Sequence, residues 1–375
     1  MPKLTYHNLG NADCCRMDLD GGQTLLFDYA DRRCHDDPTD KRADLPSVLK
    51  KELKAAGRNG YDVVGITHLD DDHIAGFSAF FELDHAAKYQ GAERVTITEL
   101  WVPAAVIFEE ACDDEARIVQ AEARFRLRQG KGIRVFSRPT LLCDWLKEQG
   151  LTVESRAHLI TDAGTLVPGW TLDGHGVEFF IHSPFASRLA DGSLMDRNKD
   201  SLCFQATFQV YHQLTRVLMT ADVEHEVLSE IVRVTRYKNN DDRLKWDVYK
   251  LPHHCSYTAI GPEKGDDKTE PVPNVRWLCE QGQRGAIIIA TSNPIPAKGT
   301  VEDECAQPPH RQAANYYKHD VLQPIDGEFR VTMEHPTVGK PQPLVIEITG
   351  MGAQIEKKVL GGAATAINAP APRAG

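Results

Sequence analysis

The sequence predicts a layered α/β protein. Two observations carry that expectation. Short apolar, β-branched runs alternate with segments of helical periodicity. Ligand-type polar residues then recur where the apolar runs stop, at Asp28, His68, Asp222 and His253/His254. Loops converge at strand ends while the sheet holds them rigid, so sites in layered α/β folds form there.

Size and composition are those of a globular chain. Its 375 residues are 41% hydrophobic and 26% charged, enough for a large core. No apolar run approaches the roughly 20 residues of a membrane span. The start, Met1 to His7, lacks the apolar core of a signal peptide, so a cytoplasmic location without membrane attachment is expected. The nine cysteines are odd in number, scattered and without CxxC spacing, which reads as reduced thiols rather than a disulfide framework. A net charge of −11 argues against broad polyanion binding. It does not argue against an enzyme that holds one phosphodiester at a metal centre.

The N-terminal region reads as a β-meander. Residues 3–9 and 14–19 alternate polar and apolar, Gly21-Gly22 marks a turn, and 23–28 is a strand ending at Asp28. A polar loop covers 31–44. Leu45, Val48, Leu49 and Leu53 lie on one face of a helix over 45–56. Residues 61–67 are short, apolar and β-branched, a buried strand. The loop after it holds His68, Asp70, Asp72 and His73 within six residues. Imidazole and carboxylate donors so close together suit zinc, manganese or iron. The plainer reading is a polar turn with Asp72 as a helix N-cap.

The remaining elements follow the same logic. Helices are expected over 74–83, 109–129, 141–149, 224–236 and 311–318. Strands are expected over 95–103, 176–184, 202–210, 215–220, 246–251 and 285–291. The runs 202–210 and 215–220 form a hairpin, 261–275 is a Pro-rich loop, and late strands 329–334 and 344–349 pair. Arg124, Arg126, Arg128, Lys131, Arg134 and Arg138 form a basic run without an acidic residue. It reads either as a solvated helix face or as a track for a phosphate backbone. The expected organisation is one domain over 1–325 with a helical insertion at about 104–150, a C-terminal β extension over 326–358, and a disordered tail over 359–375.

The motifs together resemble the metallo-β-lactamase fold superfamily. Its HxHxDH motif, followed by Gly, stands here as His68-Leu69-Asp70-Asp71-Asp72-His73-Ile74-Ala75-Gly76, with Asp70 in place of the second His. That variant resembles the hydrolase domain of ComEC-type DNA-uptake proteins and its free-standing relatives. Further segments resemble the same branch: Asn8 to Asp13, Phe27 to Ala30, Asp200-Ser201-Leu202, Thr220 to Glu224, Leu251 to Thr258, and His310 before the last helix.

The resemblance implies a four-layer αββα sandwich with two divalent metal ions at one edge, zinc first and manganese or iron as alternatives. His68 and Asp70 would serve one ion. Asp72, His73 and His254 would serve the other, with Asp222 bridging. The third superfamily histidine is absent; Asn198 or Asp200 stands in its place, Asp200 being the better ligand type. Asp72 would also orient or deprotonate the attacking water, His253 would contact substrate, and His310 would protonate the leaving group or grip the oxyanion. Ser256 and Thr258 are candidate phosphate contacts, and Asp28 a residue that holds a ligand histidine in place. The implied activity is hydrolysis by a metal-activated hydroxide, with a phosphodiester substrate, DNA or nucleotide. The basic run Arg124 to Arg138 would be the nucleic-acid contact. The alternatives are an ester, thioester or lactone hydrolase, or a catalytically weakened metal-binding partner protein. The sequence does not fix the oligomeric state.

Overall fold

The computed structural model describes residues 1–186 and 196–356. Its first sheet is built from β1 (Lys3–Tyr6), β2 (Cys15–Asp18), β3 (Thr24–Phe27), β4 (Gly60–Gly65), β5 (Thr96–Pro103), β6 (Ile133–Phe136) and β7 (Ile160–Thr161). The second contains β8 (Val177–Ser183), β9 (Cys203–Val210), β10 (Gln213–Met219), β11 (Trp246–Lys250), β12 (Gly282–Ala290) and β13 (Glu328–Val331). The late strands β14 (Leu344–Thr349) and β15 (Gly352–Ile355) return to the first sheet, whose order is β15-β14-β1-β2-β3-β4-β5-β6-β7. The second sheet runs β13-β12-β11-β10-β9-β8.

The period-two alternation of the strands divides the core into three. Leu25, Phe27 and Val63 face the second sheet, where they meet Phe179, Phe204, Val217, Val248 and Ile289. Phe27 and Phe204 pack with ring centroids 4.7 Å apart. Leu26 and Val64 face the other way, against Leu45, Leu49 and Leu53 of the helix Leu45–Ala55 and Val119, Ala123 and Leu127 of the helix Asp114–Gln129. On the second sheet, Ile288 and Ala290 face outward against Val227, Leu228 and Ile231 of the helix His225–Tyr237. Each large apolar side chain buried in this way contributes roughly 1.5–3 kcal/mol. Helix, sheet, sheet and helix are thus held by three apolar layers, the αββα sandwich that the resemblance implied.

Several elements differ from the sequence reading. The helix expected over 74–83 is two short turns, Asp71–Ile74 and Phe77–Phe80, separated at Gly76, whose φ of +75° cannot continue a right-handed helix. The long helix begins at Asp114 rather than 109. The segment 104–150 is not helical throughout, because β6 lies within it and pairs with β5. The Pro-rich loop ends in a helix, Pro273–Cys279, with proline at its first turn. The late strands do not pair with each other: β13 joins β12, and β14 joins β1. The tail over 359–375 lies outside the described residues. No helix among the described residues is long and apolar enough to cross a membrane.

Candidate metal centre

Both sheets deliver strand ends to one edge. Parallel β3 and β4 end at Asp28 and at the loop from Thr67 to His73. Parallel β10, β11 and β12 end near Asp222, His254 and Thr291. Asp72, His73, Asp222 and His254 converge there, each with a ligand-type atom within 4.8 Å of the others. Asp222 divides its oxygens: Oδ1 lies 3.3 Å from His73 Nε2 and Oδ2 lies 3.3 Å from His254 Nε2. Asp72 Oδ2 is 3.1 Å from the same nitrogen of His254. The plain capping turn is not what folds: the turn starts at Asp71, and Asp70 at its N-cap makes no side-chain cap bond.

Each imidazole is fixed by its far nitrogen. His254 Nδ1 donates to the Thr291 carbonyl at 2.8 Å. His73 Nδ1 lies 2.9 Å from Asp28 Oδ2, and Asp28 is itself held by the Thr67 backbone N–H at 2.7 Å and the Thr67 hydroxyl at 2.9 Å. The Thr67 hydroxyl also sits 3.1 Å from His68 Nδ1. In a neutral ring so held, Nε2 presents a lone pair to the centre, which is how metal-binding histidines are oriented. His68 Nε2, His73 Nε2 and Asp222 Oδ1 are buried without a hydrogen-bond partner. His73 Nε2 and Asp222 Oδ1 belong to the converging group, and an orphaned nitrogen and carboxylate oxygen there fit a divalent cation.

Burial works against charge on these imidazoles, but the neighbouring carboxylates outweigh it. Asp222 and Asp28 raise the His73 pKa well above its ordinary value, and Asp222 and Asp72 push His254 up to about 10. Burial likewise opposes ionisation of Asp72 and Asp222, yet the histidines beside them hold both below the usual carboxylate range. Without a cation, protons on the histidines take its electrostatic place.

The other expected residues are placed as follows. His68 Nε2 is 3.5 Å from Asp70 Oδ2, and its ring lies 4.0 Å from that of His73, but neither His68 nor Asp70 joins the four-residue cluster. Asp70 Oδ1 accepts from Arg197 Nη1 at 3.0 Å, and Arg197 is tied in turn to Glu109 and to the Leu69 carbonyl. Asp200 is buried and accepts from the Asp196 backbone N–H at 3.1 Å, within its own turn. Asn198 has a buried side-chain oxygen without a partner. His253 is half-buried beside His254, their ring centroids 6.3 Å apart, with a left-handed φ of +46° and its Nδ1 unbonded. His310 is committed to the backbone: Nδ1 accepts from Tyr257 N–H at 3.3 Å and Nε2 faces the Ala306 carbonyl at 3.2 Å. Ser256 and Thr258 bond each other at 3.0 Å.

Two further residues of the centre escaped sequence reasoning. Lys250 is buried at the end of β11, ion-paired with Asp13. Its ammonium lies 3.8 Å from Asp222 Oδ1 and donates to the Ala221 carbonyl at 3.2 Å. Asp13 reaches within 3.8 Å of His73 Nδ1. The available signal was a lysine closing an apolar strand just before the two histidines. The basic run, finally, does not form one track. Arg126 is buried on Glu122 and the Ile97 carbonyl, Arg134 is bonded to Thr161, and Arg138 is paired with Asp162.

No family model and no curated protein matches the sequence. Among solved structures, the chain is similar to unliganded yeast PDE1, with a TM-score of 0.42 at 12% identity over 88% of this chain and 97% of that one. It is similar to Zn(2+)-bound PqqB from Methylobacterium extorquens, with a TM-score of 0.35 at 9% identity over 92% and 100% of the two chains. It is also similar to a diphosphatase from the PhnP family, with a TM-score of 0.30 at 10% identity over 76% and 85%. Likenesses this distant carry no function across.

Proposed function

We propose that the chain is a metal-dependent hydrolase acting on a phosphodiester. The observation that carries the reading is the convergence of Asp72, His73, Asp222 and His254 at an edge where both sheets end, with an orphaned Nε2 and an orphaned carboxylate oxygen among them. These four would hold one divalent ion, and His68 with Asp70 would serve a second beside it. Two imidazoles with several carboxylates suit zinc, manganese or iron. When bound, such ions polarise a phosphoryl oxygen and lower the pKa of a bound water.

The chain's own residues would supply the rest. The Asp72 carboxylate is ionised and its side chain is 30% exposed, so it can orient an attacking water by accepting its hydrogen bond. Burial lowers the His253 pKa, leaving a neutral ring at the rim that can orient substrate. Arg197 holds Asp70 from the side away from His68 and fixes the direction of its second oxygen. His310, with both nitrogens on the backbone, would hold the Tyr257 loop; donating a proton would require those bonds to break.

The test is hydrolysis by protein loaded with Mn²⁺ or Zn²⁺, assayed on bis-p-nitrophenyl phosphate, a carboxyl ester, a thioester, a lactone and plasmid DNA. The reading expects phosphodiester cleavage that His254→Ala and Asp222→Ala abolish. Cleavage of the carboxyl ester, thioester or lactone alone would replace it with another hydrolase reading, and metal binding without any turnover would leave a metal-binding partner protein.

A further inference from the structure

The helix Asp114–Gln129 carries a feature that the metal centre does not use. Arg117, Arg124 and Arg128 line a groove of about 310 Å³, completed by His85, Gln120 and Phe125. The spacing of seven and then four residues sets the three arginines along one face of the helix. Arg117 and Arg128 are exposed and Arg124 is half-buried. Among the described residues, no carboxylate lies within ion-pair distance of any of the three, although the chain carries a net charge of −11. The other arginines nearby do find partners: Arg126 pairs with Glu122, Arg134 with Glu99 and Arg138 with Asp162. Arg124 and Arg128, four residues apart, repel by roughly 0.2–0.5 kcal/mol. Burial lowers the Arg124 pKa, with Cys112 opposing and Arg128 adding to the shift.

The first turn of this helix is bonded to the turn Phe77–Phe80, because Glu115 accepts from both the backbone N–H and the hydroxyl of Ser78, two residues beyond Gly76. From Arg117 to Arg128 the helix rises about 16 Å at 1.5 Å per residue. At the roughly 3.4 Å per nucleotide of a stacked strand, that length matches about five phosphates. Phe125, half-buried, lines the groove between the cations, and aromatic side chains beside cations are the combination by which single strands are held without sequence preference.

We infer that the Arg117–Arg124–Arg128 groove binds the phosphate backbone of a nucleic-acid strand. The inference rests on the phosphodiester reading and narrows it to polymeric substrates. The experiment measures binding of a labelled single-stranded oligonucleotide across a salt series, for wild type and for R117A/R124A/R128A, and runs bis-p-nitrophenyl phosphate hydrolysis in parallel. Because Arg124 also donates to the Ile107 carbonyl, R117A/R128A provides a variant that keeps this bond. The triple variant is expected to bind the strand roughly 10–100-fold more weakly, with the slope of log affinity against log salt reduced by about 0.7 for each arginine removed. Hydrolysis of bis-p-nitrophenyl phosphate is expected to be unchanged, while KM for the oligonucleotide rises. Equal strand affinity and equal slope in all three proteins would overturn the inference, as would absence of salt-dependent binding by wild type. If bis-p-nitrophenyl phosphate stays intact while strand binding still depends on the arginines, the hydrolase reading fails and the binding surface stands.

Discussion

His73 and Asp28 meet at 2.9 Å through Nδ1 and Oδ2, which leaves Nε2 of the same ring facing Asp222. A carboxylate at the end of one strand thus aims a histidine on the loop of the next. Replacing Asp28 with Asn removes the charge that fixes the ring. Asp28→Asn is expected to weaken metal binding roughly 10–100-fold while the fold persists. Calorimetric titration with Zn²⁺ and circular dichroism check the two halves of that statement.

Lys250 and Asp13 form a buried pair beneath the centre. Lys250→Met leaves buried Asp13 with only the more distant His73 and His254 beside it, which is expected to cost about 3–5 kcal/mol of stability. The double variant Asp13→Asn/Lys250→Met removes both charges and should recover most of that loss. Urea denaturation of the three proteins measures it; equal stability of the single and double variants would count against the pairing.

Gly76 joins the metal turn to the next turn at a φ of +75°, and a Cβ there would come within 3.3 Å of the Asp31 side chain. Gly76→Ala is therefore expected to destabilise the protein by about 1–2 kcal/mol. Since the strain falls just after His73, metal affinity should fall with it. Thermal denaturation with and without Zn²⁺ separates the two effects.

The metal-free protein should have a defined pH window. His73 and His254 are raised in the fold, His254 to about 10, so their contribution is full below the ordinary histidine value of about 6.5 and is lost as pH rises toward 10. Asp72 and Asp222 are depressed, so theirs is full above the ordinary value of about 3.9 and is lost on acidification. Stability of the chelated protein should peak between those values and decline above about 6.5. Bound metal requires neutral histidines, so it should remove the alkaline decline. Denaturation of chelated and Zn²⁺-loaded protein from acid to alkaline pH tests the sign.

The layered fold and the cluster of candidate ligands were legible because their signals are local. Apolar runs such as 61–67 and 285–291 each end in a strand terminus, and His68 to His73 and His253-His254 stand beside such ends in the sequence itself. What was not legible depended on partners far along the chain. Arg134 reads as a surface cation, but it lies in β6 and bonds Thr161. Asp13, in the loop before β2, and Lys250, at the end of β11, acquire meaning only when the edges of the two sheets bring them together with Asp222. The helix expected over 74–83 was over-read because apolar spacing continues across Gly76, and backbone handedness there outweighs periodicity. The pairing of β14 with β1 joins opposite ends of the described chain, which no local pattern specifies.

The central claim is that Asp72, His73, Asp222 and His254 hold a divalent ion. Anomalous diffraction from crystals of the protein loaded with Zn²⁺ or Mn²⁺ tests it most directly. The account predicts an anomalous peak bonded to His73 Nε2, His254 Nε2 and the carboxylates of Asp72 and Asp222. A map without a peak among these four side chains, from protein shown to be folded, would contradict it.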